Sequence, residues 1–263
     1  MGDRLSRPER RALQRQDDLH RERPLGIGQD PRGAYAHIRH VARLLGDDRS
    51  KSSCADAITY AASQFEKSVV TATKGGLACR RGCAHCCNLD VTVTAPEAFQ
   101  IAGILRRTPE RMAAFLEAET ATRGLSQTER WRARKSCPLL SNAECSIYES
   151  RPLSCRGAVS LDVDACVAAY VDLKQVEVPT PHDHILVLNV WRTIISTAIR
   201  LLNLPIAGYE MNHAVAVALV TDDGERKWLN GEDIFAPVAQ DTTAAPRYIE
   251  TVERLAKELA PTV

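Results

Sequence analysis

Four cysteines fall within one nine-residue run, Cys79-Arg80-Arg81-Gly82-Cys83-Ala84-His85-Cys86-Cys87. Spacings of three and two residues let a tight loop turn its thiolates towards one centre, as a zinc ion or an iron–sulfur cluster requires. Gly82 supplies the permissive backbone that such a loop needs. Adjacent Cys86 and Cys87 point in different directions, so either one ligates while the other lines the site, or each serves a different metal atom. Three more thiols follow, Cys137 in Ser136-Cys137-Pro138-Leu139-Leu140, then Cys145 and Cys155 in the segment Cys145 to Arg156. Seven thiolates exceed the four that one all-cysteine site needs. They suit one cluster with spare ligands, or two metals that share ligands with Cys166 or His85. Thiolates are many and histidines few, which slightly favours an iron–sulfur cluster such as [4Fe–4S] over zinc.

Arginines accompany the thiols: Arg80, Arg81, Arg151 and Arg156. A four-thiolate zinc site, like an oxidised [4Fe–4S] cluster with four thiolates, is a net dianion, and guanidinium groups nearby would offset that charge. Arg80 and Arg81 suit a solvated surface equally well, whereas Arg151 and Arg156 are expected to support the bound group. Cys54 and Cys166 fall on expected helices, where a buried thiol is the ordinary role. His85 sits inside the loop and could ligate or hydrogen-bond a sulfur. His182 and His184 are read as a cap and solvated turn, and His37, His40 and His213 as ordinary helix or core residues.

The two halves together resemble a known family. The four-cysteine run, the Cys-Pro-Leu-Leu segment and Cys-x-Ile-Tyr-x-x-Arg-Pro-x-x-Cys-Arg are similar to the CxxCxxCC cysteine-cluster family, a YkgJ-like zinc- or iron-chelating domain. The likeness spans Cys79 to Arg156. It implies Cys79, Cys83, Cys86, Cys87, Cys137, Cys145 and Cys155 as metal-site residues, with Arg151, Pro152 and Arg156 in support. The first spacing is three residues here, against two in the family's name. A second reading rests on Cys79-x-x-x-Cys83-x-x-Cys86, which is also the spacing of radical S-adenosylmethionine enzymes. Those motifs follow a barrel strand, whereas here a long helix precedes the run and mostly helices follow. Whether the protein is an enzyme stays open, between a metal-binding protein, a cluster-dependent catalyst of redox or of protein or nucleic-acid modification chemistry, and a structural zinc interaction module.

The elements that must hold these loops are helical. Apolar residues recur at three- and four-residue steps over Tyr35 to Leu45, and again from Ile58 to Val69 in a helix opened by Ser53. Lys74-Gly75-Gly76 ends that helix just before the cysteine run. Thr94-Ala95-Pro96-Glu97 and Ser126-Gln127-Thr128-Glu129 are capping boxes, and Thr108-Pro109 opens a helix between them. Leu89 to Thr94 is a short extended segment, and Cys137 to Gly157 has no period and reads as irregular. Helices are expected over Asp162 to Leu173, from a Thr180-Pro181-His182-Asp183 cap to about Asn203, and over Pro246 to Leu259. Met211 to Val220 is ambiguous between helix and strand, and Asp222-Asp223-Gly224 makes a turn. The fold class is therefore mainly α, an irregular helical bundle with long cysteine-bearing loops clamped among the helices. One domain over residues 33–263 follows a flexible, basic tail at 1–32.

Composition bounds the rest. With 263 residues, 44% hydrophobic and 25% charged, the chain can build an ample core without metal or disulfides. The net charge of +1 does not call for nucleic acid. Met1 to Pro24 has no apolar core of a secretory signal, and no run approaches the roughly 20 apolar residues of a membrane span. A cytoplasmic location follows as the expectation, with thiols kept reduced and directed to metal rather than to disulfides. A protein or redox partner is expected, of unknown identity.

Overall fold

The computed structural model describes residues 6–8, 11, 31–46, 53–72, 76–241 and 246–260. Most of the expected tail at 1–32 and the Lys74-Gly75 stop lie outside the described residues. The fold is mainly α, with two small strand pairs. Helices α1 (Pro31–Gly46) and α2 (Ser53–Ala72) precede the cysteine run. After the cysteine run come strand β1 (Thr92–Val93) and helices α3 (Ala95–Leu105), α4 (Pro109–Thr120) and α5 (Gln127–Arg132). The hairpin β2 (Leu140–Ser141) and β3 (Glu144–Cys145) leads to α6 (Leu153–Gly157) and α7 (Val163–Tyr170). The last elements are α8 (His182–Leu201), β4 (Tyr209–Glu210), α9 (Met211–Val220), α10 (Gly224–Leu229) and α11 (Pro246–Leu259).

Helix α8 is the central element. It packs against α1, α2, α6 and α11, while α3 bridges α2 to α9. Its inward face carries Trp191, Ile194, Ile195 and Ala198, all at most 1% exposed. Burying each large apolar side chain of this kind stabilises the fold by about 1.5–3 kcal/mol. The Trp191 indole N–H donates to Ser68 Oγ at 3.3 Å, so its one polar atom is satisfied within the core.

The helix ends follow local chemistry. Glu97 Oε2 accepts from both the backbone N–H and the hydroxyl of Thr94 at 2.8 Å, as the capping box predicts. Glu129 takes the same pair of bonds from Ser126. The ambiguous Met211–Val220 segment is a helix, because Glu210 at its N-cap accepts from the N–H groups of Asn212 and His213. Asp162 caps α7 in the same way. Thr180 does not cap α8: its hydroxyl donates to the Val178 carbonyl, and the N-cap is Pro181. The turn at Asp223 is left-handed (φ 53°) and opens α10, a helix with no long apolar period to announce it.

The segment 137–157 is less irregular than its composition implies. Asn142 and Ala143 both adopt positive φ, at 50° and 61°, the geometry of a type I′ hairpin turn. They pair Leu140 with Cys145 and Ser141 with Glu144. Strand β1 pairs antiparallel with β4, which joins the segment after the cysteine run to the start of α9.

Candidate metal centre

The cysteine run is built from successive tight turns. The Cys83 N–H bonds the Arg80 carbonyl at 3.0 Å, with Gly82 at φ 84°, where a side chain would be strained. The Cys87 N–H bonds the Ala84 carbonyl at 3.0 Å, closing a 3-10 turn over His85–Asn88. The two motif halves then meet directly. The Cys137 N–H donates to the Cys87 carbonyl at 2.7 Å, and Ser136 Oγ donates to Asn88 Oδ1 at 2.9 Å. At the other end of the run, the Ser160 N–H donates to Cys79 Sγ at 3.2 Å.

All seven thiols implied by the resemblance, Cys79, Cys83, Cys86, Cys87, Cys137, Cys145 and Cys155, line one cavity of about 1230 Å³. Arg80 and Arg151 line it too, whereas Arg156 does not. Arg156 is 4% exposed and its guanidinium is taken up elsewhere: it pairs with Glu66 and donates to the Glu149 carbonyl and, at 2.9 Å, to the Arg151 carbonyl. It braces the turn that carries Cys155, with which its charge also interacts. His184, expected on a solvated turn, is 3% exposed and helps in this bracing: its Nε2 donates to the Arg156 carbonyl at 3.0 Å. Arg81 lies outside the cavity, on the surface between Glu144 and Glu149.

Arg151 is the cation at the thiols. Its guanidinium lies over the Tyr148 ring at 4.1 Å from the centroid, and its buried Nε has no hydrogen-bond partner. Among the described residues no carboxylate pairs with it, and its charge acts on Cys86, Cys145 and Cys155 as well as on Arg156 and His184. Burial is the main force on most of the sulfurs. It pushes Cys137 up to about 11, opposed by the backbone N–H of Leu139 and by Arg130. Burial likewise raises Cys145, against the Ile147 N–H, and Cys155, which neighbouring thiols raise further. Cys86 is raised first by its contact with Cys87 and then by burial. Thiols that burial raises thus lie beside the half-buried Arg151 guanidinium, which has no salt-bridge partner among the described residues.

That juxtaposition is a test of fit. Ligation by a cation deprotonates thiols, and the resulting thiolate centre would supply the negative charge that Arg151 faces. The sulfur donors and Arg151 therefore suit a zinc or iron–sulfur group. Among the described residues, no three histidines, cysteines or carboxylates converge closely enough to hold a metal ion.

Further residues join the site. Cys166, 7% exposed on α7, lines a second cavity of about 460 Å³ together with Cys79, Cys83, His85 and Cys86. Its sulfur raises the Cys79 thiol electrostatically, after burial and the neighbouring run cysteines. Cys54 lies away from the site, fully buried, with its N–H donating to Glu225 at 2.9 Å. Arg130 carried no signal of its own in the sequence, and Glu97 signalled only a helix cap. Arg130, 2% exposed, pairs with Asp90 at 3.1 Å and Glu210 at 3.2 Å, fastening the exit of the run to the α9 cap. Glu97 also accepts the Leu153 N–H at 2.9 Å, joining the start of α3 to the start of α6.

No helix among the described residues is long and apolar enough to cross a membrane. No curated protein and no solved structure matches the chain. Residues 78–172 match the model of the CxxCxxCC family, described as a "Putative zinc- or iron-chelating domain", and this segment holds all seven thiols of the cavity together with Cys166.

Proposed function

We propose that the protein chelates metal through clustered thiolates and holds an iron–sulfur cluster in preference to zinc. The observation that carries this reading is the single cavity lined by seven thiols from two separate segments, with Arg151 beside them, a cation with no salt-bridge partner among the described residues. Cys79, Cys83, Cys86, Cys87, Cys137, Cys145 and Cys155 supply the ligands, and Cys166 extends the set from the other side of the run. The preference for a cluster follows from the donors, since no histidine among the described residues lines the larger cavity. A bound cluster would supply one-electron chemistry. The chain's own part is to hold the sulfurs, offset their charge through Arg151 and screen them from water. A reducing compartment such as the cytoplasm, and a redox protein as partner, are consistent with this role.

Anaerobic purification followed by metal analysis and visible absorption tests the reading. Iron, acid-labile sulfide and a brown chromophore are expected. Stoichiometric zinc with no colour would sink the cluster, and a metal-free protein with all thiols titratable would sink chelation altogether. Cys83→Ser should release the metal, while Cys54→Ala should keep it.

A further inference from the structure

One short turn connects the second group of thiols to the cation beside them. Cys145 precedes it and Cys155 follows it, with a 3-10 turn over Tyr148–Ser150 between them. The Ser150 N–H donates to the Ile147 carbonyl at 2.8 Å, and Ile147, 5% exposed, anchors the turn in the core. Residues three apart come to the same side of such a turn, which sets Arg151 against Tyr148. Both side chains line the thiol-bearing cavity.

Backbone and side chain are held there by different groups. Arg156 donates to the Glu149 and Arg151 carbonyls and so fixes the backbone of the turn. The Arg151 guanidinium has no hydrogen bond and no salt bridge among the described residues, and the contact left to it is the Tyr148 ring, 4.1 Å away at the centroid. A second guanidinium, that of Arg81, lies over the same ring at 5.5 Å. Arg81 reaches Glu144 at 3.6 Å and Glu149 at 3.8 Å outside the cavity, so Arg151 is the cation that the ring presents to the thiols. The Tyr148 hydroxyl makes no hydrogen bond among the described residues, which leaves the ring as the working surface. A long arginine side chain without a partner samples many rotamers, and a cation–π contact favours one arrangement by roughly two- to thirty-fold.

We propose that Tyr148 is a positioning residue of the metal centre, its ring face holding the Arg151 guanidinium at the thiol end of the cavity. The proposal rests on the chelation reading for what Arg151 faces, but not for how Arg151 is held.

Two measurements on the full chain test it. In the metal-free protein, nuclear magnetic resonance should show the Arg151 side-chain protons shifted upfield by the Tyr148 ring current. Tyr148→Leu should abolish that shift and Tyr148→Phe should keep it. In the zinc-loaded protein, Tyr148→Leu should release zinc to a chelator roughly two- to thirty-fold faster, whereas Tyr148→Phe and Arg81→Gln should stay within about twofold of the unsubstituted chain. In an Arg151→Met background, Tyr148→Leu should change the rate no further, because the ring then has no cation to place. Melting temperatures report that each variant folds. An unshifted Arg151, release from Tyr148→Phe or Arg81→Gln as fast as from Tyr148→Leu, or an undiminished Tyr148→Leu effect in the Arg151→Met background overturns the proposal. The two readings fail separately: zinc uptake with an unshifted Arg151 refutes this proposal alone. A chain that takes up no zinc refutes chelation, and the proton shift then decides whether Tyr148 holds Arg151.

Discussion

Gly157 ends the short helix that carries Cys155, and a Cβ built there would lie 2.3 Å from Leu188 Cδ2 and 2.9 Å from Cδ1 on α8. Two effects compete in Gly157→Ala. Its backbone is not in the left-handed region, so alanine would gain about 0.4–1 kcal/mol by restricting the unfolded chain. Against this stands overpacking, which costs typically about 1–3 kcal/mol, and a contact well inside 3 Å in a buried interface belongs at the upper end. The net expectation is a loss of roughly 1–2 kcal/mol, or a drop in Tm of roughly 2–8 °C for a chain of this size. Because the same helix carries Cys155, metal should also leave faster in a chelator-competition assay. Leu188 itself is 5% exposed, and Leu188→Ala alone should cost about 2–5 kcal/mol. The double variant should cost less than the sum by at least about 1 kcal/mol, since the new methyl group then enters the vacated space. Differential scanning calorimetry of the four proteins reads this cycle. Strict additivity, or a higher Tm for Gly157→Ala, would refute the close-packing argument.

Three further outcomes are expected. Arg151→Met keeps much of the volume over Tyr148 but removes the cation, so the metal-loaded protein should lose metal at least several-fold faster in competition with a chelator, while Arg151→Lys retains part of the effect; equal retention in Arg151→Met would show that the charge is not used. The Cys137 thiol, raised by burial to about 11, stabilises the metal-free fold fully below its ordinary value of 9.0, and that contribution is lost as pH rises through about 11. Metal-free protein under reductant should therefore fall in Tm between pH 9 and 11 more than metal-loaded protein, whose thiolates are already ionised; parallel curves would contradict this. Glu97→Gln keeps an acceptor for one donor group but weakens the bracket between α3 and α6, and should cost about 1–3 kcal/mol in urea unfolding, against under about 0.5 kcal/mol for the exposed Glu117→Gln.

Helices with a long apolar period or a local cap were legible in the sequence. Thr94 and Ser126 show why: the residues that make each cap lie three apart in the chain, so the signal is local. Thr180 misled because a threonine beside proline can satisfy its hydroxyl on a neighbouring carbonyl. The hairpin at Asn142-Ala143 was illegible because alanine seldom adopts positive φ, and the pairing of β1 with β4 joins segments more than a hundred residues apart. The seven sulfurs could be named from spacing and resemblance. The distinct work of Arg151 and Arg156 could not, because it depends on Glu66 and the Glu149 carbonyl, which only the fold brings to Arg156.

The hydrogen bond from Cys137 to the Cys87 carbonyl has one more consequence. Residues 88–136 leave the centre and return to the point of departure, so β1 and helices α3 to α5 form a closed excursion. Doubling the length of such a loop adds only about 0.6 kcal/mol to the cost of closing it. The two cysteine segments are therefore a fixed clasp on a strap of adjustable length. Insertions in the turns of this strap would add little to the cost of closing it, while α3 stays fixed in the core between α2 and α9.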